Sequence, residues 1–131
     1  MIRISIQSRN QIELIDITTE VQEAIREAGI KNGWGMLFVP HTTAAVTINE
    51  NADPDVVTDM IKALDKMVPL QGGYRHAEGN SAAHVKTSLV GSSEMLMIEE
   101  GRAVLGRWQG IYFCEFDGPR PRQVLFRTVS A

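Results

Sequence analysis

Residues 72–91, GGYRHAEGNSAAHVKTSLVG, form the stretch around which the rest of this chain is organised. The part before Asn80 is rich in glycine and has no apolar period, which predicts a loop. The part after Asn80 predicts a short helix, because Asn80 or Ser81 is a good N-cap. Gly91 would end this helix in the left-handed conformation that glycine tolerates. The stretch therefore predicts a loop that feeds the N-terminus of a helix.

The same stretch concentrates ionisable side chains. His76 and His84 are two of the three histidines in the chain, and Glu78 and Lys86 stand beside them. A solvated loop with a helix behind it is the plain alternative. This density of ionisable groups beside an apolar helix favours a site for metal, phosphate or proton chemistry.

Length and composition restrict the class of protein. The chain has 131 residues, of which 44% are hydrophobic, so we expect one domain over residues 1–131 with a real core. The net charge of -3 does not suggest a nucleic-acid-binding surface. No apolar run suits a membrane span and no signal segment opens the chain, so we expect no membrane association. The single cysteine, Cys114, cannot form an internal disulfide and lies in an apolar run; this predicts a buried, inert thiol in a reducing cytoplasm.

Strand periods dominate the first part of the chain. Apolar residues alternate over 2–6, which predicts a strand, and 12–17 reads as its hairpin partner. Thr19 with Gln22 predicts a capping box, and Gly29 predicts the end of that helix. Residues 34–39 and 41–48 predict two more strands.

A second helix is predicted from Asp53, a good N-cap, and Pro54, a good first helical residue. Its apolar stripe predicts a core face and consists of Val56, Val57, Met60, Ile61 and Leu64. After the central stretch, residues 94–99 and 103–105 predict a hairpin around Gly101. Residues 109–116 and 123–129 predict the last strands. The whole pattern predicts an α+β fold, an antiparallel β-sandwich with two or three helices.

Two kinds of metal site are compatible with the sequence. His41, His76 and His84 could supply a three-ligand zinc site, although their spacing matches no compact motif. A magnesium site could instead use Glu50, Asp53 and Asp55. Asp53 is also explained as a helix cap, and Glu50 as a turn residue. The sequence leaves both sites open, and it also leaves open whether His41 or His84 is a ligand or a proton carrier.

An anionic substrate could be held by Arg75, Lys86 and Arg120, although ordinary surface charge is the commoner role of such residues. The chain has no P-loop, no dinucleotide-binding glycine signature and no CxxC pair. We therefore predict a small phosphorylated metabolite as the partner. We also predict that the three histidines come within reach of one small ion or anionic group.

Three stretches of this sequence resemble the signature blocks of the YjbQ-like family. They are HTTAAVTINENADPDV, GYRHAEGNSAAHVKTSLVGSS and LGRWQGIYFCEFDGPRPR, in this order. The resemblance covers nearly the whole chain and implies a small α+β domain that assembles as a homotrimer. It also implies a secondary thiamine-phosphate synthase activity, which joins a pyrimidine diphosphate to a thiazole phosphate. The segment Glu78-Gly79-Asn80 is shorter than in many relatives, which carry an acidic insert there.

The resemblance implies polar functional positions that can be placed one by one on this chain. Together with the reasoning from residue types, it assigns catalytic roles to Glu50, Asn51, Asp53, His84 and Lys86. Substrate contacts are assigned to Thr43, Asn49, Asn80, Gln109, Asp117 and Arg120. The ligands of a divalent metal ion, zinc or magnesium, are assigned to His41, His76 and His84. The competing functions are a non-catalytic module that binds a metal or a phosphorylated metabolite, and a trimer that serves mainly as a scaffold.

Overall fold

A computed structural model of the chain describes residues 1–131 and contains eight strands and three helices. In chain order these are β1 (Ile2–Gln7), β2 (Glu13–Asp16), α1 (Thr18–Ala28), β3 (Gly33–Phe38), β4 (Ala44–Glu50), α2 (Pro54–Met67), α3 (Ser81–Val90), β5 (Ser93–Glu99), β6 (Arg102–Ala103), β7 (Gln109–Glu115) and β8 (Pro121–Ser130). The expected α+β class with antiparallel sheets and three helices is confirmed.

The strands form two antiparallel sheets. One has five strands in the order β1-β8-β3-β5-β6, and the other has three in the order β2-β7-β4. The main core of 17 buried residues includes side chains from both sheets and from α1, such as Val21, Leu37 and Phe113. A smaller apolar cluster of Ala45, Ala83, Cys114 and Phe116 lies between α3 and the three-stranded sheet. The α3 helix is thus seated beside the edge strand β4.

The predicted hairpin of the first two strands is wrong. β1 pairs with β8, with Ile4 opposite Val124. β2 pairs with β7 in the other sheet, with Leu14 opposite Cys114. Alternating apolar residues indicate only that one face of a strand is buried. A strand that is distant in sequence can pair with it and bury that face as well as the next strand in the chain can. The connection between β1 and β2 therefore crosses from one sheet to the other.

The predicted capping box at the start of α1 is also wrong. The side chain of Asp16 accepts hydrogen bonds from the backbone N–H of Thr18 at 2.9 Å and from its hydroxyl at 2.6 Å. Gln22 instead donates to the carbonyl oxygen of Gly101 at 2.8 Å. Gly29 ends the helix in the left-handed conformation, with φ 68°, as predicted.

The predicted start of α2 is confirmed, but the prediction that its apolar stripe faces the core is wrong. Asp53 accepts a hydrogen bond from the backbone N–H of Asp55 at 2.9 Å, and Pro54 is the first helical residue. None of the 14 residues of α2 is buried, and the apolar stripe is only half-buried. The helix lies on the surface of the protomer with its apolar side incompletely covered.

The predicted α3 helix is confirmed between Asn80 and Gly91, but both ends differ from the prediction. The Asn80 side chain makes no capping hydrogen bond. Gly91 has a positive φ of 107°, but with ψ 155° it lies outside the left-handed helical region. The helix buries the small residues Ala82 and Ala83 together with Lys86, and it leaves Val85 and Leu89 exposed.

The remaining predictions for the C-terminal half are confirmed. β5 and β6 form the hairpin around Gly101, and β7 and β8 follow. Cys114 is buried, and burial raises the pKa of its thiol to about 12, so the thiol is inert. None of the three helices is long and apolar enough to cross a membrane.

Candidate functional site

An open cavity of about 470 Å³ lies where α3 meets the loop that precedes β4. We call it the His41–His84 cavity. None of its lining residues is hydrophobic, and none is a carboxylate; they are His41, Thr42, His84, Thr87, Ser88, Gly91 and Ser92. Its walls therefore offer imidazole, hydroxyl and backbone groups.

Backbone hydrogen bonds hold the two sides of this cavity together. The N–H of Val46 in β4 donates to the carbonyl oxygen of Gly91 at 3.1 Å, and the N–H of Val39 donates to that of Ser92 at 2.8 Å. His84 and Thr87 are three residues apart on α3, so one face of the helix presents both side chains to the cavity. The end of α3 is thus fixed against the strand that follows His41.

His41 is held by the backbone of β8. Its Nε2 accepts a hydrogen bond from the N–H of Gln123 at 3.0 Å. Burial and the nearby positive charge of Arg122 lower the pKa of His41, and the negative charge of Glu115 opposes them. The ring is therefore neutral at neutral pH.

His84 is the histidine that links the other two. It shares the cavity lining with His41, and its ring lies edge-on to the ring of His76 with 5.5 Å between the ring centroids. His76 is exposed and lies 3.7 Å from Glu78, measured from Nε2 to Oε2. His76 does not line the cavity. The structure brings the histidines together as two neighbouring pairs, and no three His, Cys, Asp or Glu side chains are arranged to hold a metal ion.

Two buried polar atoms near the helix have no hydrogen-bond partner in the protein. They are Oγ1 of Thr87 and Oδ1 of Asn80. Thr87 is 8% exposed and lines the cavity. A buried hydroxyl without a partner is costly, so such groups mark places where a ligand or water is expected.

Three of the predicted substrate-binding residues form one cluster at the start of α3. Asn80 donates through Nδ2 to Oδ2 of Asp117 at 2.9 Å, and Arg120 donates to the same oxygen at 3.1 Å. Because the carboxylate only accepts, the amide of Asn80 is oriented with Oδ1 as its free acceptor. Asp117 therefore fixes both neighbours.

Lys86 is not among the residues that line the cavity. Its ammonium is buried, pairs with Asp65 of α2 and lies 5.8 Å from the centre of the Phe116 ring. This contact explains the presence of a lysine on the buried face of α3. The positive charge of Lys86 therefore lies at the junction of α2 and α3.

Thr43 belongs to a buried ionic network. Its hydroxyl accepts a hydrogen bond from Arg122 at 2.9 Å, and Arg122 also pairs with Glu115. Glu115 further accepts from the hydroxyl of Ser8 at 2.6 Å and from the N–H of Asp117 at 3.0 Å. The network joins Glu115 of β7 to Arg122 of β8 and so links the two sheets, and Thr43 is not among the residues that line the cavity.

The other predicted residues lie at the opposite end of β4. Thr43 precedes this seven-residue strand and Glu50 ends it, which separates them by about 20 Å. Asn51 donates to Asp16 at 3.2 Å, and Tyr112 donates to the backbone oxygen of Glu50 at 3.0 Å. The remaining members of this acidic end make local contacts and are Asn49, Asp53 and Gln109. Within one protomer the predicted catalytic residues are divided between the two ends of β4.

Thr87, Ser88 and Ser92 are cavity residues that the sequence reasoning missed. The available signal was helical spacing, because Thr87 and Ser88 follow His84 at three and four residues. Small hydroxyl residues are common on helix surfaces, so the signal gains meaning only once the opposite wall of the cavity is known.

The chain is similar to known proteins over nearly its whole length. The family model described as "UPF0047 protein YjbQ-like" matches residues 2–131. The UPF0047 protein YugU of Bacillus subtilis is 52% identical over 128 residues, which cover 97% of each chain. A UPF0047 protein of Methanocaldococcus jannaschii is 46% identical over 130 residues, with 99% of this chain and 94% of the relative covered.

Solved structures give the same picture. An uncharacterised conserved protein of Clostridium acetobutylicum has a TM-score of 0.96 and 52% identity, with 98% of this chain and all of that chain covered. A protein of unknown function from Sulfolobus solfataricus has a TM-score of 0.93 and 30% identity, covering 98% and 95% of the two chains. The fold is therefore shared at high and at low sequence identity.

Proposed function

The chain belongs to the YjbQ-like UPF0047 family, and from this premise and the geometry of the site we propose that it binds the phosphoryl group of a small metabolite in the His41–His84 cavity. The observation that carries the proposal is the lining of the cavity. Imidazole, hydroxyl and backbone groups surround it without a carboxylate. Such groups donate hydrogen bonds to phosphate oxygens. The volume of about 470 Å³ is within the range of small-molecule sites.

The experiment that tests this proposal is calorimetric titration of the purified protein with inorganic phosphate, pyrophosphate and glycerol phosphate. We expect binding that is weakened in His84→Ala. The matched control is His76→Ala, which removes the neighbouring ring without changing the cavity lining. Equal affinities in wild type and His84→Ala would refute the cavity as the binding site.

The transferase reaction that the resemblance implies is our second proposal. A phosphoryl-binding cavity suits a diphosphate substrate, whose leaving oxygens need hydrogen-bond donors. The carboxylates of Glu50 and Asp53 lie at the far end of β4, however, so one protomer does not gather the predicted catalytic set. We therefore propose binding without turnover as the first function and the transferase reaction as the second. Release of pyrophosphate from a pyrimidine diphosphate in the presence of thiazole phosphate would establish the transferase.

Assembly into a homotrimer is the proposed quaternary structure. The outer face of the five-stranded sheet is apolar and 40–68% exposed at Trp34, Met36, Phe38, Met95, Met97 and Val129. Register pairs Met36 with Met95 and Trp34 with Met97, so these side chains are contiguous. A patch of this kind is typical of a protein–protein interface. The number of three copies is taken from the resemblance to the YjbQ-like family.

A divalent metal and a cytoplasmic location stay predictions. Of the assigned metal ligands, His76 and His84 are the two whose rings are close, but no three-ligand group is preformed, so we assign no step of the reaction to a metal. The unpaired Cys114 thiol supports a reducing compartment.

A further inference from the structure

The two ring nitrogens of His41 have different roles because only one of them accepts a hydrogen bond from the backbone. Nε2 accepts from the N–H of Gln123 at 3.0 Å. In a neutral imidazole the nitrogen that accepts is unprotonated, so the proton resides on Nδ1. A protonated nitrogen has no lone pair for a metal ion, but it donates a hydrogen bond to an oxygen.

We propose that His41 is a specificity-determining hydrogen-bond donor that makes the His41–His84 cavity select an oxyanion rather than a metal cation. The inference rests on the function proposed above and deepens it by assigning the ligand class to a particular side chain. Gln123 lies in β8 opposite Ser5 of β1, so the backbone N–H that contacts the ring is held by strand pairing on one side. The tautomer is thus determined by the sheet and not by the ligand.

The charges around the ring favour the same ligand class. Arg122 and Arg120 act on His41 as positive charges, and Glu115 opposes them. The Glu115 carboxylate is wholly buried and already accepts from Ser8, Arg122 and Asp117, so it has no capacity left for a cation in the cavity. The lining also includes Thr42, Ser88 and Ser92, whose hydroxyl groups can donate to an anion. The lining therefore contains no carboxylate that could pair with a cation.

Two substitutions distinguish the roles of the ring nitrogens. His41→Asn places an amide near the position of Nδ1, whereas His41→Gln places one near the position of Nε2. We expect His41→Asn to retain phosphate affinity within about threefold of wild type. We expect His41→Gln to lose about tenfold or more, the cost of one hydrogen bond to a charged group. Circular dichroism and thermal unfolding of both variants serve to exclude misfolding.

The tautomer itself is measured by nitrogen-15 NMR of the histidine side chains, which does not depend on any ligand. We expect the Nδ1-protonated form for His41, and zinc affinity that His41→Asn leaves unchanged. An Nε2-protonated ring, or loss of zinc binding in His41→Asn, would overturn the inference. Equal phosphate affinity in His41→Gln and wild type would also overturn it.

These outcomes are separable from failure of the proposed function. If the wild-type protein bound none of phosphate, pyrophosphate and glycerol phosphate, both the proposed function and the selection of an oxyanion would be refuted. The tautomer and zinc measurements would still decide whether His41 is a metal ligand. Binding of glycerol phosphate but not inorganic phosphate would identify a phosphate ester as the ligand. The reverse result would identify the free ion.

Discussion

Lys86 of α3 pairs with Asp65 of α2 although the two side chains differ greatly in exposure, at 3% for Lys86 and 47% for Asp65. The pair is a direct polar link between a helix that carries cavity residues and a helix that buries none of its own. A buried ammonium needs a partner, because an unpaired charge at such a position is costly. The position of α2 therefore depends on this contact.

Asp65→Asn should destabilise the protein by about 1–3 kcal/mol, because it leaves the Lys86 ammonium buried without a counter-charge. Asp59→Asn is the matched control, since Asp59 lies on the same helix, is exposed and has no ion-pair partner among the salt bridges of the structure. Urea unfolding monitored by circular dichroism measures both. Equal unfolding free energies for the two variants would show that the pair contributes nothing.

Glu115 should give the protein an acid-sensitive component of stability. Burial by itself would raise the pKa of Glu115, but hydrogen bonds from Arg122, Ser8 and the N–H of Asp117, with the charge of Arg122, outweigh burial and lower it. A lowered pKa in the folded state stabilises the protein above the unfolded value, here 4.5, and that contribution is lost as pH falls through the folded value.

The measurement is the difference in unfolding free energy between wild type and Glu115→Gln across pH 7 to 3. At neutral pH we expect Glu115→Gln to be less stable by about 3–5 kcal/mol, because Arg122 loses its buried partner. The difference should stay constant down to about pH 5 and then narrow. A difference that does not change with pH would contradict the lowered pKa.

Gly91→Asn should destabilise the protein, whereas Gly29→Asn should have little effect. Gly29 has φ 68° and ψ 19°, a left-handed helical conformation that asparagine tolerates. Gly91 has φ 107° and ψ 155°, a region that is essentially restricted to glycine. No atom lies within 4 Å of a Cβ added at either position, so backbone strain alone distinguishes them.

We expect a loss of about 1–3 kcal/mol for Gly91→Asn and well under 1 kcal/mol for Gly29→Asn. Gly91→Val should behave like Gly91→Asn and lower stability more than it changes phosphate affinity. Thermal and urea unfolding give the first comparison, and calorimetric titration gives the second. Equal stability losses at the two glycines would remove the argument.

Thr87→Val should stabilise the protein. Oγ1 of Thr87 is buried without a partner, and replacing it by a methyl group removes a desolvated hydroxyl at nearly constant volume. The expected gain is about 1 kcal/mol in unfolding free energy. Thr87→Ser keeps the hydroxyl and is the control. Loss of stability in Thr87→Val would indicate that the hydroxyl is satisfied within the protein.

Met36→Lys should dissociate the assembly, because it places a charge in the centre of the exposed apolar sheet face. Light scattering is expected to return the trimer mass for wild type and a smaller mass for this variant. Glu23→Lys, an exposed change on α1, is the control and should leave the mass unaltered. A monomer mass for wild type at micromolar concentration would refute the trimer.

Local sequence patterns determined most of the helices and strands of this protein. The alternation in β1, the Asp53–Pro54 start of α2 and the Asn80 and Gly91 limits of α3 are properties of neighbouring residues, so they could be predicted from short windows. The buried state of Cys114 followed from its apolar surroundings in the same way. The polar character of the central stretch likewise indicated His84, which lines the candidate cavity.

Tertiary structure decided which strands pair and which polar residues meet. β1 pairs with β8, which lies near the other end of the chain. The pairing is determined by which arrangement buries the apolar faces of the whole sheet, and not by distance in sequence. That arrangement brings the Gln123 N–H to the His41 ring, and it places His41 and Thr87 in the lining of the same cavity. It also separates Glu50 from His84 by the length of β4, since a strand is extended and cannot bring its two ends together.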